Sequence, residues 1–143
     1  MNYKFSKLDY IDYNDDFFYL MEQLTHAPSI SKENFDEYVS KQNDFHQTLV
    51  LKDENNKKII GSITVFIEQK LIRNYGKVGH IEDVVIDNEY RGKKLGALLI
   101  EKAVELCKNH NCYKVILDCD ECNVKFYEKC NFHKKGSFMA FYL

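Results

Sequence analysis

An α/β fold with a central mixed sheet flanked by helices is predicted by three observations. Segments of strand and helix character follow one another in the order β-α-α-β-β-β-α-β-α-β. A strand-helix-strand crossover sits at the centre of that order, which calls for a mixed sandwich rather than a doubly wound sheet. The 143 residues, 45% apolar and with one proline, are sized for a single core, so one domain spanning 1–143 is expected.

Tyr3 to Leu8 alternates weakly, as a short first strand does. Asp12 or Asn14 can cap a helix that puts Phe17, Leu20, Met21 and Leu24 on one face. Thr25-His26-Ala27-Pro28 ends it, because proline cannot continue the ladder. A second helix starts after Ser31, with Glu33 in its first turn and Phe35, Tyr38 and Val39 at helical spacing. Gln47 to Leu51 and Lys58 to Ile72 are rich in β-branched residues and are joined by a hairpin turn, Asp53-Glu54-Asn55-Asn56. In the longer arm Ile63, Val65 and Ile67 share one face, continued by Leu71, while Ser62, Thr64, Phe66, Glu68, Lys70 and Ile72 fall on the other. Glu68 and Lys70 read most simply as a wet sheet face.

His80 to Asp87 reads as the next strand, and Gly92 to about Asn109 as the longest amphipathic helix, with Leu95, Leu98, Leu99, Ala103 and Leu106 in one stripe. Tyr113 to Cys119 is a buried-type strand, Asn123 to Lys129 a short helix, and Phe132 to Phe141 a last strand.

Composition excludes several partners. A formal net charge of −2 gives no global attraction to nucleic acid or to an anionic membrane. No apolar run approaches the roughly 20 residues of a membrane span, and MNYKFSKLDY lacks the apolar core of a signal peptide. A soluble cytoplasmic protein is expected. Five cysteines, an odd count in a chain needing no staples, suit a reducing compartment. Cys119-Asp120-Glu121-Cys122 has redox or half-zinc-knuckle spacing, but no second pair or His pair accompanies it, so small buried thiols and no metal are expected.

The chemistry gathers in Gly79 to Ala97, GHIEDVVIDNEYRGKKLGA. A strand runs into a polar turn and then into Arg91-Gly92-Lys93-Lys94-Leu95-Gly96, which opens the long helix. The first amides of a helix have no intrahelical acceptor and carry the positive end of its dipole, so an anion gains hydrogen bonds and charge complementarity there. Gly92 and Gly96 clear side chains from the backbone, and Arg91, Lys93 and Lys94 add charge. A solvated basic helix start fits the same six residues equally well.

The order of elements, with a strand leading into R-x-x-x-x-G, resembles the acetyl-CoA-binding core of the GNAT acetyltransferase superfamily, whose usual loop is Q/R-x-x-G-x-G/A. Lys94 stands where that loop has its first glycine. The segments GHIEDVV (79–85), RGKKLG (91–96), CYKVILDC (112–119) and NVKFYEKCNF (123–132) are together similar to one branch, the eukaryotic glucosamine-6-phosphate N-acetyltransferases, over the chain from about Thr25 onward.

The resemblance implies acetyl transfer from acetyl-CoA to the 2-amino group of glucosamine 6-phosphate, a step towards UDP-N-acetylglucosamine. It implies that pantetheine lies between the strand ending at Val84 and Val85 and the strand ending at Asp118. The diphosphate then falls on the amides of Gly92, Lys93, Lys94, Leu95, Gly96 and Ala97, beside Arg91, and Asn123 and Tyr127 of the N-x-x-x-Y motif lie by the sulfur. Lys70 and Lys114 become candidates for the sugar phosphate, with Thr25 and Asp83 on sugar hydroxyls. It also implies a homodimer with a shared substrate pocket, to which the last strand contributes. The tail Met139-Ala140-Phe141-Tyr142-Leu143 lacks the basic residue of the family's terminus, but it suits a buried dimer edge.

An amine attacking a thioester needs a neutral nucleophile, donors where the oxyanion forms, and a proton for the leaving thiolate. A bulged strand near Val84 and Val85 can supply free amides. Tyr127 suits the proton donor, because a phenol stays protonated at neutral pH. Glu82 and Asp118, at adjacent strand ends, can take the amine's proton and hold it. Each also has a bland alternative: core packing for Tyr127, a cap or ion pair for the carboxylates, and solvated strand surface for Lys114. Two other readings remain open, a GNAT enzyme for a polyamine, an aminoglycoside or a protein N-terminus, and a non-catalytic CoA-binding dimeric module.

Overall fold

The computed structural model describes residues 2–143. Five strands form one sheet in chain order: β1 (Tyr3–Lys7), β2 (His46–Asp53), β3 (Lys58–Gln69), β4 (Lys77–Ile86) and β5 (Cys112–Ile116). β1 to β4 are antiparallel neighbours, and β4 pairs with β5 in parallel. Only that last connection needs a crossover, and helix α4 (Leu95–Asn109) supplies it. The sheet is therefore mixed, as the order of elements predicts.

Each face of the sheet carries its own apolar cluster. On one, Leu95, Leu99, Ile100, Ala103 and Cys107 of α4 pack on Leu51, Ile60, Ile63, Val65, Ile67 and Ile81. On the other, helices α1 (Asp15–Leu24) and α2 (Lys32–Lys41) bring Phe17, Leu20, Phe35 and Val39 against Val50, Ile59 and Val85. Asn14 caps α1 by accepting from the Phe17 amide, and Ser31 caps α2 through the Asn34 amide. Close packing limits what the sheet tolerates. A Cβ on Gly79 would lie 2.3 Å from Cys107 Sγ. Gly79→Ala should therefore lower stability by about 1–3 kcal/mol, read as an earlier urea midpoint, and an unshifted midpoint would show that α4 can slide.

Five expectations about the elements are corrected, the first at β5: it spans Cys112–Ile116 rather than Tyr113 to Cys119, and with Tyr113, Lys114 and Ile116 exposed it is not a buried-type strand. β3 stops at Gln69 rather than Ile72, and Leu71 is 91% exposed instead of continuing the apolar face. The chain reverses there through a single turn, α3 (Ile72–Tyr75), closed by the Lys70 amide donating to the Gly76 carbonyl at 2.8 Å. Arg73, Asn74 and Tyr75 all take left-handed φ values, 55°, 56° and 58°. That turn lets β4 begin at Lys77, before the expected His80. The long helix begins at Leu95, not Gly92, because Gly92 (φ 81°) and Lys94 (φ 62°) are left-handed and cannot join a right-handed helix.

The fifth correction concerns the chain's end. No strand forms after α5 (Val124–Lys129), and Phe138, Met139, Phe141, Tyr142 and Leu143 are all exposed. Strand propensity does not by itself make a strand: the outer edges of β1 and β5 stay open, and this segment pairs with neither.

Candidate active site at a splayed strand pair

β4 and β5 share a ladder only from Lys77–His80 to Cys112–Ile116. Past it the two chains separate. On its other side β4 is bulged: Ser62 faces Val85 and Thr64 faces Glu82, so Asp83 and Val84 have no register partner on β3. Asp83 takes the left-handed position, with φ 51°. The result is a cleft of about 250 Å³ between Ile81–Val84 and Leu117–Asp120, closed at one end by Asn123 and Tyr127. A roomier hollow of about 370 Å³ between β1, β2 and the 3-10 turn Tyr10–Asp12 is lined by Lys4, Lys52, Lys57, Asp12 and Glu54, far along the chain from these groups.

The structure thus brings Glu82, Asp83, Val84, Asp118, Asn123 and Tyr127 to one cavity. Val85 is 5% exposed, with its side chain in the second core, so only its backbone is available to a ligand. Tyr127 stands on α5, its ring held edge-on between Phe126 (4.9 Å) and Phe132 (6.1 Å). Burial, seconded by nearby thiols and Asp118, pushes its phenol up to about 12, so the O–H is retained across the neutral range. Glu82 is also raised above the ordinary carboxyl value, by desolvation first and then by the charges of Asp118 and Asp83. A carboxylate made more basic in this way is a better proton acceptor.

The anion loop lies before α4. Its first turn receives no side-chain cap, so the amides of Leu95, Gly96 and Ala97 are available as donors at the positive end of a 15-residue helix. Leu95 itself points into the core, leaving only its amide for a ligand. Gly92 has open space where a Cβ would be, whereas a Cβ on Gly96 would lie 3.1 Å from Phe126. The second glycine therefore also lets α5, and with it Tyr127, close on α4. Lys94, in the left-handed position before the helix, carries a strain of about 1–2 kcal/mol that glycine would not. Arg91, Gly92, Lys93 and Lys94 are exposed.

The remaining candidates lie outside the cleft. Lys70 Nζ is paired with Glu68 Oε2 at 3.0 Å, and Glu68 Oε1 meets His80 Nε2 at 2.9 Å. Lys114 extends over the Tyr113 ring at 5.7 Å. Lys114 is exposed on β5, whereas Asp118 lies two residues past the strand's end at Ile116, on the cleft wall. Thr25 is the exposed C-cap of α1, next to Leu24, which lines the cleft. All five cysteines are free, but against the expectation of buried thiols only Cys107 is buried; Cys112 and Cys130 are half-buried, and Cys119 and Cys122, which lie past the end of β5, are exposed.

Sequence reasoning passed over two contributors. Leu24 was assigned to the helix core but reaches the cleft wall, 37% exposed. Arg73 lies outside the cleft and carries no motif, yet the left-handed turn sets its guanidinium 5.8 Å from the centroid of the Tyr113 ring, to which Lys114 also extends. A charged residue in a tight turn after a long strand was the available signal.

Comparison with known proteins agrees with this geometry. The sequence profile of the acetyltransferase (GNAT) family matches residues 10–132. Glucosamine 6-phosphate N-acetyltransferase 1 of Dictyostelium discoideum is 46% identical over 142 residues, covering 97% of this chain and 90% of the relative. The glucosamine 6-phosphate N-acetyltransferase of Arabidopsis thaliana is 43% identical over 143 residues, covering 98% of this chain and 96% of that one. The crystal structure of the Arabidopsis thaliana enzyme superposes with a TM-score of 0.94 over 99% of both chains, at 41% identity. A bulged, splayed strand pair, an uncapped helix start behind it and this breadth of match all converge: the chain belongs to the acetyltransferase (GNAT) family.

Proposed function

We propose that this enzyme transfers the acetyl group of acetyl-CoA to the 2-amino group of glucosamine 6-phosphate. The observation that carries the reading is the convergence of a proton donor (Tyr127), a basic carboxylate (Glu82) and a bulged backbone (Val84) on one cleft. The amine nitrogen, having given its proton to Glu82 with Asp118 orienting it, attacks the thioester carbonyl. Amides beside Val84 hold the oxyanion. Collapse breaks the carbon–sulfur bond, the thiolate takes the Tyr127 proton, and the proton that the acylated nitrogen then sheds in becoming a neutral amide restores the phenol by way of solvent. The loop from Arg91 to Ala97 takes the diphosphate, and Asn123 supports the pantetheine end.

Glucosamine 6-phosphate also needs cations. Arg73 and Lys114, which share Tyr113, suit its phosphate, Lys70 is a further candidate cation now paired with Glu68, and Thr25 and Asp83 suit the sugar hydroxyls. Replacing Arg73 and Lys114 by Ala should raise KM for glucosamine 6-phosphate at least tenfold while leaving KM for glucosamine unchanged. Equal effects on both substrates would remove the phosphate role.

A second reading has one observation in its favour: Glu82, Asp83, Asp118 and Asp120 make the cleft acidic enough for a polyamine. Thiol release from acetyl-CoA with glucosamine 6-phosphate, glucosamine and spermidine separates the two, and turnover with spermidine alone would replace the first reading by the second. The exposed apolar tail supports a homodimer in which it finds its edge on a second copy. Sedimentation of the full chain at micromolar concentration should give the dimer mass, and a monomer would reject it. A cytoplasmic location and a place in UDP-N-acetylglucosamine formation complete the reading; fractionation of the source cells tests the first.

A further inference from the structure

Tyr90 ends the 3-10 turn (Asn88–Tyr90) that delivers the chain into the anion loop, and it is 9% exposed. Its hydroxyl donates to Asp53 Oδ2 at 2.8 Å and accepts from Asn56 Nδ2 at 3.1 Å. Both partners belong to the β2–β3 hairpin turn, far from the cleft in sequence, and Asp53 is itself fixed by the Asn55 amide on Oδ1 at 2.9 Å. Over the ring of this anchored tyrosine lies the ammonium of Lys93, 4.8 Å from the centroid. That is the shortest of the cation–ring distances among the described residues.

A lysine in an exposed loop otherwise spends considerable side-chain entropy when it engages a ligand. Here the ring restrains it beforehand, and donation of the phenol to an anionic carboxylate enriches the ring that the ammonium faces. We propose that Tyr90 is a positioning residue for the coenzyme's phosphates: anchored by Asp53 and Asn56, it holds the Lys93 ammonium at the loop so that donors carrying the nucleotide diphosphate are selected over those without it. This rests on the reading of Gly92 to Ala97 as the diphosphate site. The hairpin turn, which no part of the reaction uses, then acquires a role as the rigid back of the coenzyme loop.

The experiment compares acetyl-CoA with S-acetylpantetheine, which has the same thioester and no phosphate, in the full-length enzyme. Tyr90→Leu should raise KM for acetyl-CoA about three- to fivefold, the range of an exposed cation–ring contact, with saturated kcat within about twofold. KM for S-acetylpantetheine should not move. Tyr90→Leu added to Lys93→Ala should change KM less than about twofold further, since the two act through one contact. Tyr90→Phe, which keeps the ring and loses the anchor, should give a KM for acetyl-CoA between those of the parent and Tyr90→Leu, and a KM equal to that of Tyr90→Leu would overturn the role of the ring. Equal losses with both donors, or effects that multiply in the double variant, would overturn the proposal. Should Tyr90→Leu fail to fold, the parent protein decides: the Lys93 ε-methylene protons should show ring-current shielding that persists with coenzyme A bound, and free-lysine shifts would overturn it. If the parent shows no preference for acetyl-CoA over S-acetylpantetheine, the diphosphate reading of the loop falls first and takes this proposal with it.

Discussion

Tyr127→Phe should lower kcat by about 10²-fold while leaving coenzyme A affinity unchanged. The size follows from the leaving group. General acids contribute roughly 10²–10⁴-fold, and a thiolate, whose conjugate acid titrates near 8.5, departs more readily than an alkoxide, so the lower end applies. The substitution keeps the ring that Phe126 and Phe132 hold and removes only the hydroxyl, for which no hydrogen-bond partner is recorded among the described residues. Steady-state kinetics and calorimetric coenzyme A binding check both halves. An acetyl thioester of a more acidic thiol should recover part of the lost rate, and an unchanged kcat would remove Tyr127 from the mechanism.

The second large effect belongs to Glu82. Its raised pKa means that the folded protein holds this proton to higher pH than the unfolded chain does. For a base the consequence is an activity that falls, as pH is lowered, at a higher pH than an ordinary glutamate would give. Glu82→Gln should reduce kcat/KM by about 10²-fold at neutral pH and flatten that acidic limb. The sign for stability is opposite. An ionised Glu82 is disfavoured by its setting, so its contribution becomes less favourable as pH rises through the window above the unfolded value. Glu82→Gln should therefore raise Tm at neutral pH while activity drops, by removing a charge that burial disfavours and that Asp118 and Asp83 repel. A loss of Tm together with activity would mark Glu82 as a structural ion-pair partner instead.

The nearest-neighbour patterns were readable in advance. Asn14 and Ser31 as caps, the Asp53–Asn56 turn, the α4 stripe and the strand into a basic, glycine-bearing loop are all local signals, set by residues within a few positions of one another. So was the reason for placing Glu82, Val84, Asp118 and Tyr127 at one site, since a family motif preserves spacing along the chain. The tail was misjudged because a strand is a pairing, and its propensity names no partner.

What the sequence by itself determined is most of the elements, the apolar faces of the helices and the chemistry of the cleft residues, because period and residue type set these over short spans. Tertiary structure alone decided three things: the opening between β4 and the chain past β5, the raised basicity of Glu82, and the approach of Arg73 to Tyr113 and of Tyr90 to Asp53. These depend on distances between groups remote in the chain, and on the solvent each excludes from the other. No pattern along a single strand or helix encodes those quantities.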